Sequence, residues 1–286
     1  MAWIYLTAFY GVAKGLREFS KKEALKKTSV PEVLFLYTLI AFLLILPFSH
    51  DIFAIGGIYY LYIAIKAFVI FLSWIISFYV IKKMPISLFS VMDMGKLIFA
   101  ALLGVAFLRE AFGFYQGLGL ILIAGALFVV NFQRRSRDER DTENVKIIYV
   151  LLMLVYCFLN SISSLLDKIM LREGGISSSQ LQFWYMAYLL VFYGIYMIFT
   201  KTKIHLSTLK HNYFIPIMSL LFVLGDRALF IANESPSSSV GGMSVLKELC
   251  VVVSIILGKI LYKEKHILKR AICAFVIVLG ILIYLI

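Results

Sequence analysis

Three stretches of this chain, residues 111–133, 147–166 and 174–200, contain no aspartate, glutamate, lysine or arginine and are mostly apolar. A helix needs about 20 such residues to cross a bilayer, where every backbone N–H and C=O must be satisfied inside the segment. The other apolar runs are shorter or are broken by one or two charges. Of the 286 residues, 62% are hydrophobic, against roughly half in a soluble domain. The chain therefore reads as an all-α integral membrane protein. No basic n-region with a cleavage site is visible, so the first apolar segment is expected to be retained.

Ten transmembrane helices are expected, at about 2–20, 31–49, 57–81, 85–108, 111–132, 146–170, 177–200, 212–233, 236–259 and 267–286. Pro31, Pro85 and Pro236 stand at helix starts, where a missing N–H costs little. The one strongly polar stretch, QRRSRDERDTENVK, falls near the middle of the chain. It divides the chain into a five-helix repeat over 1–132, a polar linker over 133–145 and a second five-helix repeat over 146–286.

The two parts share a pattern. From residue 66 to 96, an offset of 151 places Phe71 on Phe222, Pro85 on Pro236 and Lys96 on Lys247. The short elements FLRE (107–110) and LYKE (261–264) follow the fourth and ninth helices, with Glu110 opposite Glu264 after a three-residue insertion. Five helices is an odd number, so the second repeat enters the membrane inverted, and a binding site is expected where the repeats meet near the midplane.

Ten spans, two five-helix repeats, a proline opening the fourth and ninth helices and a Leu-x-Glu-like element after each resemble the drug/metabolite transporter superfamily, EamA-like branch. The resemblance implies a basket-shaped helical transporter working by alternating access. Members of the wider superfamily carry amino acids, drugs, sugar phosphates or nucleotide sugars, and related small proteins flip lipid-linked sugars. Some carriers of phosphorylated solutes use lysines in the fourth and ninth helices, the helices of Lys96 and Lys247.

The net charge of +12 sits mainly in short loops, which points to membrane orientation rather than to nucleic acid. Loops after odd-numbered helices hold nineteen lysines and arginines, from Lys21, Lys22, Lys26 and Lys27 to Lys269 and Arg270. Loops after even-numbered helices hold essentially Arg109 and Arg172. The positive-inside rule then places the odd loops in the cytoplasm and both termini outside a plasma (cytoplasmic) membrane. The family resemblance implies cytoplasmic termini instead.

Charges inside the spans point to function. An ionisable side chain at mid-membrane costs about 2.5–3.5 kcal/mol on insertion scales and faces the bundle interior or water. The cations are Lys14, Arg17, Lys66, Lys96, Arg227 and Lys247, and the anions are Glu18, Asp93, Asp226 and Glu248. Asp167 and Lys168 lie near the end of the sixth helix. Lys96 and Lys247 recur at matching places, as expected of a site on an internal twofold axis. Lys96, Lys247, Lys66, Arg227 and Lys14 are the expected substrate-binding residues. Asp93, Asp226 and Glu248 are expected to couple protons or form ion pairs. The excess of two positive charges favours an anionic solute such as a phosphate ester or carboxylate.

Internal pairing is the alternative. Asp93 and Lys96, three apart, share a helix face. Glu248 and Asp226 can meet Lys247 and Arg227 on neighbouring helices. Arg17 is expected to snorkel outward at the end of the first helix. Trp3, Trp184, Tyr185 and Tyr188 either line the site or form interfacial belts, with belt or lipid-facing placement expected for most. The GGMS segment (241–244) loosens the ninth helix or permits close packing, and Gly117 and Gly119 read as packing residues.

No catalytic constellation, metal site or cofactor is expected. There is no HExxH, GxSxG or P-loop, and Cys157, Cys250 and Cys273 lie inside apolar segments without CxxC spacing. The leading expectation is a secondary transporter of a small polar, anionic metabolite, with protons as a candidate coupling ion. A flippase for a lipid-linked sugar or polyprenyl phosphate is the second, and a structural membrane protein with fully paired charges the third. Oligomeric state is not legible.

Overall fold

The computed structural model describes residues 2–49, 52–108, 113–132, 146–173, 175–204, 207–234, 243 and 246–284. All regular structure among them is helical, with no strand. Pro236, Glu110, the 133–145 linker and Gly241, Gly242 and Ser244 lie outside the described residues.

Helix α1 spans Ala2–Lys27, seven residues beyond its expected end. Lys21 is therefore a buried helical residue, not a loop cation. Helix α2 (Val30–Ile45) opens with Pro31 in its first turn, where no N–H is needed, and closes in a 3₁₀ turn around Pro47. Helix α3 spans Gly57–Lys83. Met84 is extended, as a residue before proline must be, and Pro85 caps α4 (Ile86–Asp93).

The expected fourth helix is not continuous. It breaks at Met94 and Gly95 and resumes as α5 (Lys96–Leu108). After α6 (Phe114–Phe132), α7 (Ile147–Lys168) runs into a π-helical turn at Ile169–Glu173. Helix α8 (Ser178–Phe199) starts at a capping box between Ser177 and Gln180. A short α9 (Ser207–His211), absent from the sequence expectation, precedes α10 (Phe214–Glu234). Helix α11 (Leu249–Tyr262) ends at left-handed Lys263, and α12 (Ile267–Tyr284) completes the described chain. Arg270 is helical and buried, a second cation that the loop tally misplaced.

Seven spans, with α4 and α5 taken together, are long and apolar enough to cross a membrane, and α6 and α11 are shorter apolar helices. Large apolar side chains such as Phe107, Ile198 and Phe199 stay exposed on the outside, which suits lipid. The protein is a multi-pass membrane protein. Its main core gathers Leu34, Tyr37, Ile63, Phe78, Phe89, Tyr193 and Phe222, and a smaller one gathers Val91, Met94, Ile123, Val251 and Ile277.

Packing runs mostly between helices α1–α6 and helices α7–α12. Helix α1 packs on α10 and α11, and α7 packs on α3 and α5. Helix α3 packs on α8, and α10 on α2. Helices α2 and α8 pack together, as do α6 and α12. Exchanging α1, α2, α3, α4–α5 and α6 with α7, α8, α10, α11 and α12, in that order, maps this set of pairings onto itself.

Glycines allow two of these contacts. A Cβ on Gly119 would lie 2.5 Å from the carbonyl oxygen of Gly280 on α12, so the two backbones meet there directly. Gly11 and Gly15 face the backbone of α11 and the residues before it, where added Cβ atoms would fall 2.7 Å from Leu246 O and 2.9 Å from Cys250 O. Gly119→Ala is expected to destabilise the protein by about 1–3 kcal/mol through overpacking. Gly125→Ala, which meets nothing within 4 Å, is expected to be neutral or to gain up to about 1 kcal/mol of helix propensity. Denaturation of the two variants side by side in detergent measures the contrast.

Candidate functional site

Lys14, Arg17, Glu18 and Lys21 recur at i, i+3, i+4 and i+7 on α1 and so share one face. That face borders a central cavity of about 410 Å³. Tyr10, Lys66, Asp93, Lys96, Asp167, Asp226, Lys247 and Glu248 also line it, together with Tyr37, Trp74, Phe78 and Phe222.

The cavity lies beside two helix breaks. At the first, Gly95 N–H bonds Met92 O and Ile98 N–H bonds Gly95 O, a tightened i→i−3 turn. Helix α7 approaches carbonyls on both sides of the break. Ser161 Oγ lies 2.7 Å from Lys96 O, and Cys157 Sγ lies 3.4 Å from Met92 O. At the second, Glu248 forms a turn between Lys247 and α11, with Val251 N–H on Glu248 O. Irregular backbone at membrane depth is tolerated where protein or a polar cavity satisfies it. The two breaks adjoin the lysines that the sequence places in register: Lys96 follows the first and Lys247 precedes the second.

The charges are mostly paired. Lys14 and Lys96 both donate to Asp93 Oδ2, at 2.5 and 2.8 Å. Lys96 also approaches Glu248 at 3.8 Å. Arg17 meets Asp226 at 3.5 Å, and Lys66 meets Asp167 at 3.0 Å. Lys21 pairs with Glu18 at 2.5 Å. Three of these contacts join the chain before residue 133 to the chain after residue 145: Arg17–Asp226, Lys66–Asp167 and Lys96–Glu248. Aromatic faces add to the hold. Lys66 lies 4.1 Å from the Tyr185 ring centre and Arg17 5.2 Å from that of Phe222. Lys247 has no ion pair or hydrogen bond among the described residues.

Several sequence expectations change here. Asp226 meets Arg17 and Glu248 meets Lys96, rather than Arg227 and Lys247. Arg227 is not a lining residue of the cavity. Arg17 does not snorkel outward but faces the cavity. Tyr185 is buried and lines the cavity rather than sitting in a belt. Trp184, by contrast, donates to Ile52 O at the edge of the bundle. Trp74, Lys21 (read as a loop cation) and the α7 residues Asn160, Ser161, Ser163 and Ser164 are lining residues that the sequence does not single out as such, whereas Asp167 is named among the membrane charges. The polar run NSISS inside an apolar helix and the spacing of the α1 charges are the available signals.

The two ends of the cavity differ. Its lining includes Ala100, Gly104, Leu120, Phe230, Ile281 and Tyr284, from the segments nearest the end that carries residues 52–56 and 175–177. At the other end, among the described residues, no lining residue comes from the last single turn of α1 or α3 or the first single turn of α10 or α12. There the Glu264 carboxylate accepts from the N–H groups of Ile86 (2.7 Å) and Ser87 (3.2 Å), from Ser87 Oγ and from Arg270 Nη1 (3.0 Å). It caps α4 from a residue that follows α11. Lys22 of α1 donates to Met84 O at 2.8 Å and lies 3.9 Å from Glu264. Tyr262 donates to Glu23. These bonds tie α1, α4, α11 and α12 together.

Asp93→Asn would strand Lys14, which is 8% exposed. Removing one partner from a buried pair costs about 3–5 kcal/mol, because the remaining charge is uncompensated. Adding Lys14→Met to the Asp93→Asn variant is expected to restore part of that loss, read by denaturation in detergent.

Residues 1–132 match the model of the EamA-like transporter family. Among solved structures, one described only as "Crystal structure of protein" aligns with a TM-score of 0.62 at 11% identity, covering 98% of this chain and 94% of that one. At that identity the likeness concerns the fold alone. No curated protein matches.

Proposed function

We infer, from a first half that matches the EamA-like transporter family, that the chain is a secondary transporter rather than an enzyme. It moves a small polar, anionic metabolite by alternating access. Lys247 carries this reading: it lines a cavity in which every other lining cation has a carboxylate within 4.0 Å, and it has none among the described residues. A lysine held in that state is a point charge available to a solute. A volume of about 410 Å³ lies within the roughly 300–1,000 Å³ range of small-molecule sites.

The reading extends to architecture. Two inverted five-helix repeats, 1–132 and 146–286 joined by a 133–145 linker, account for the self-exchanging helix pairings and for breaks beside both Lys96 and Lys247. Lys96, Lys14 and Lys66 act in the site through their carboxylate partners, and Asp93, Asp226 and Glu248 hold those pairs or exchange protons during the cycle. The Glu264 cluster is the closed gate and the opposite end the open one. With the loop cations in the cytoplasm and the termini outside, the structure corresponds to an outward-open state.

Lys247→Gln separates function from folding, because it strands no carboxylate. Thermal stability is measured for both proteins across sugar phosphates, carboxylates, amino acids, organic cations and a polyprenyl phosphate. Anions are expected to stabilise the wild type, by about 2.7 kcal/mol at a hundred times Kd, and to leave the variant unmoved. Equal stabilisation of both places the site elsewhere. Stabilisation by the polyprenyl phosphate alone supports a flippase.

Glu264→Gln is expected to loosen the gate. In a cysteine-free background carrying Ser77→Cys, a cavity residue towards the closed end, labelling from the cytoplasmic side should rise several-fold with Glu264→Gln. Unchanged labelling contradicts the gate, and labelling only from the outside reverses the orientation.

A further inference from the structure

We propose that anionic lipid headgroups bind a rim of lysines around the turn between α11 and α12 and hold the Glu264 cluster closed. The proposal rests on the reading of that cluster as the gate, and it gives the gate a partner outside the bundle.

The rim grows out of the outer surface of α11. Val252, Ile256 and Ile260 recur every fourth residue and are all exposed, Ile260 at 65%, a stripe that suits acyl chains. Lys259 and Lys263 lie three residues on from Ile256 and Ile260, towards the helix end, and both are exposed. Helix α12 repeats the arrangement. Exposed Lys269 lies beside Leu268, which is 74% exposed. An ammonium just beyond an apolar stripe stands at headgroup level, where a long lysine side chain reaches phosphate.

The turn sorts its charges by side. Between Gly258 and Arg270 the sequence has one carboxylate, Glu264. Left-handed backbone at Lys263 (φ 49°) and His266 (φ 60°) folds the turn tightly, and the Glu264 side chain returns across α11. A Cβ on Gly258 would lie 2.8 Å from Glu264 Oε2, so this path needs a glycine. The carboxylate is spent on Ile86, Ser87 and Arg270, while Lys263 and Lys265 on either side of it stay exposed. Cations flank the other partner too. Lys82 and Lys83 are exposed at the end of α3, four and three residues before Ile86. At no more than about 3.6 Å per residue, Lys83 stands within roughly 11 Å of the amide that Glu264 holds.

Closing the cluster therefore brings two groups of lysines together, one from the end of α3 and one from the turn. Their mutual repulsion opposes closure in a neutral membrane. Phosphate headgroups between them turn repulsion into attraction, at roughly fivefold in binding for each lysine near an anionic leaflet. Loop lysines also orient a chain in the membrane, but orientation requires no lysines on both sides of one hydrogen bond.

Hydrogen exchange of the Ile86 and Ser87 amides reads the cluster directly, since both donate to Glu264. It is measured on the full-length protein in phosphatidylcholine nanodiscs with and without about one third phosphatidylglycerol. Phosphatidylglycerol is expected to slow exchange of the segment holding these amides about tenfold. Salt at about 1 M, which shortens screening to about 3 Å, is expected to remove the effect. The variant combining Lys82→Gln, Lys83→Gln, Lys259→Gln, Lys263→Gln and Lys269→Gln is expected to exchange alike in both lipids. Equal exchange of the wild type in the two lipids overturns the proposal, as does a full phosphatidylglycerol effect in the variant. An equal effect of soluble glycerol phosphate on phosphatidylcholine discs makes the ligand a free phosphate ester and overturns the membrane source. Glu264→Gln is expected to speed exchange in both lipids, and exchange as slow as in the wild type breaks the link between the turn and α4. If the combined variant fails to fold, the lipid and salt responses of the wild type still decide. The gate itself is judged by Ser77→Cys labelling, so its failure and the failure of the lipid site are separate results.

Discussion

An ammonium group in the middle of a helix bundle is stabilised by a counter-charge inside the bundle, and Asp93 supplies one to two lysines at once. Lys14 reaches it from α1 and Lys96 from the start of α5. Much of the surrounding architecture makes this meeting possible. Gly11 and Gly15 let α1 seat on the backbone around Leu246 and Cys250, which brings the charged face of α1 to the cavity. The turn at Met94 and Gly95 ends α4 immediately after Asp93, and α7 donates to carbonyls on either side of the turn. Burial of such a group is tolerable only when both the charge and the freed backbone are met.

The same requirement gives the two ends of the molecule different characters. Around the cavity, ion pairs are spaced along its walls and leave room between them. Around Glu264 they converge, so that one carboxylate serves two backbone N–H groups, a hydroxyl and a guanidinium. Bonds of the second kind seal, because their directions are all used. Those of the first kind leave acceptor capacity at Asp93 Oδ1 and Glu248 Oε2. A transport cycle needs both kinds, one holding an end shut and one lining a chamber whose charges re-pair.

How much of this is legible depends on range in sequence. Apolar runs, prolines at helix starts and the matched lysines are local signals, and they locate the spans of α2, α3, α7, α8 and α12 to within a few residues. Asp93–Lys96 can also be foreseen, since three residues along a helix is a fixed distance. Arg17–Asp226 cannot, because helix packing decides which long-range partner is nearest. The same gap hides the partner of Glu248. The α1 charges look like an end-of-helix effect when the helix is ended at residue 20, whereas Lys21 continues their stripe. The break at Gly95 escapes notice because a single glycine within an apolar run carries little local signal. The long-range contacts beside it, from Cys157 and Ser161 of α7, carry no local signal either.

That α1 packs on α10 and α11 rather than mainly on its sequence neighbours has a consequence for how the chain is made. Arg17 leaves the ribosome about 200 residues before Asp226, its partner in the folded protein. At roughly 5–20 residues per second this interval lasts about 10–40 s. For that time the cavity-facing stripe of the first helix carries four charges, of which only Glu18 and Lys21 pair with each other. Its stable lodging in the bilayer therefore belongs to the end of synthesis. The insertion machinery has to shelter a segment whose final neighbours do not yet exist.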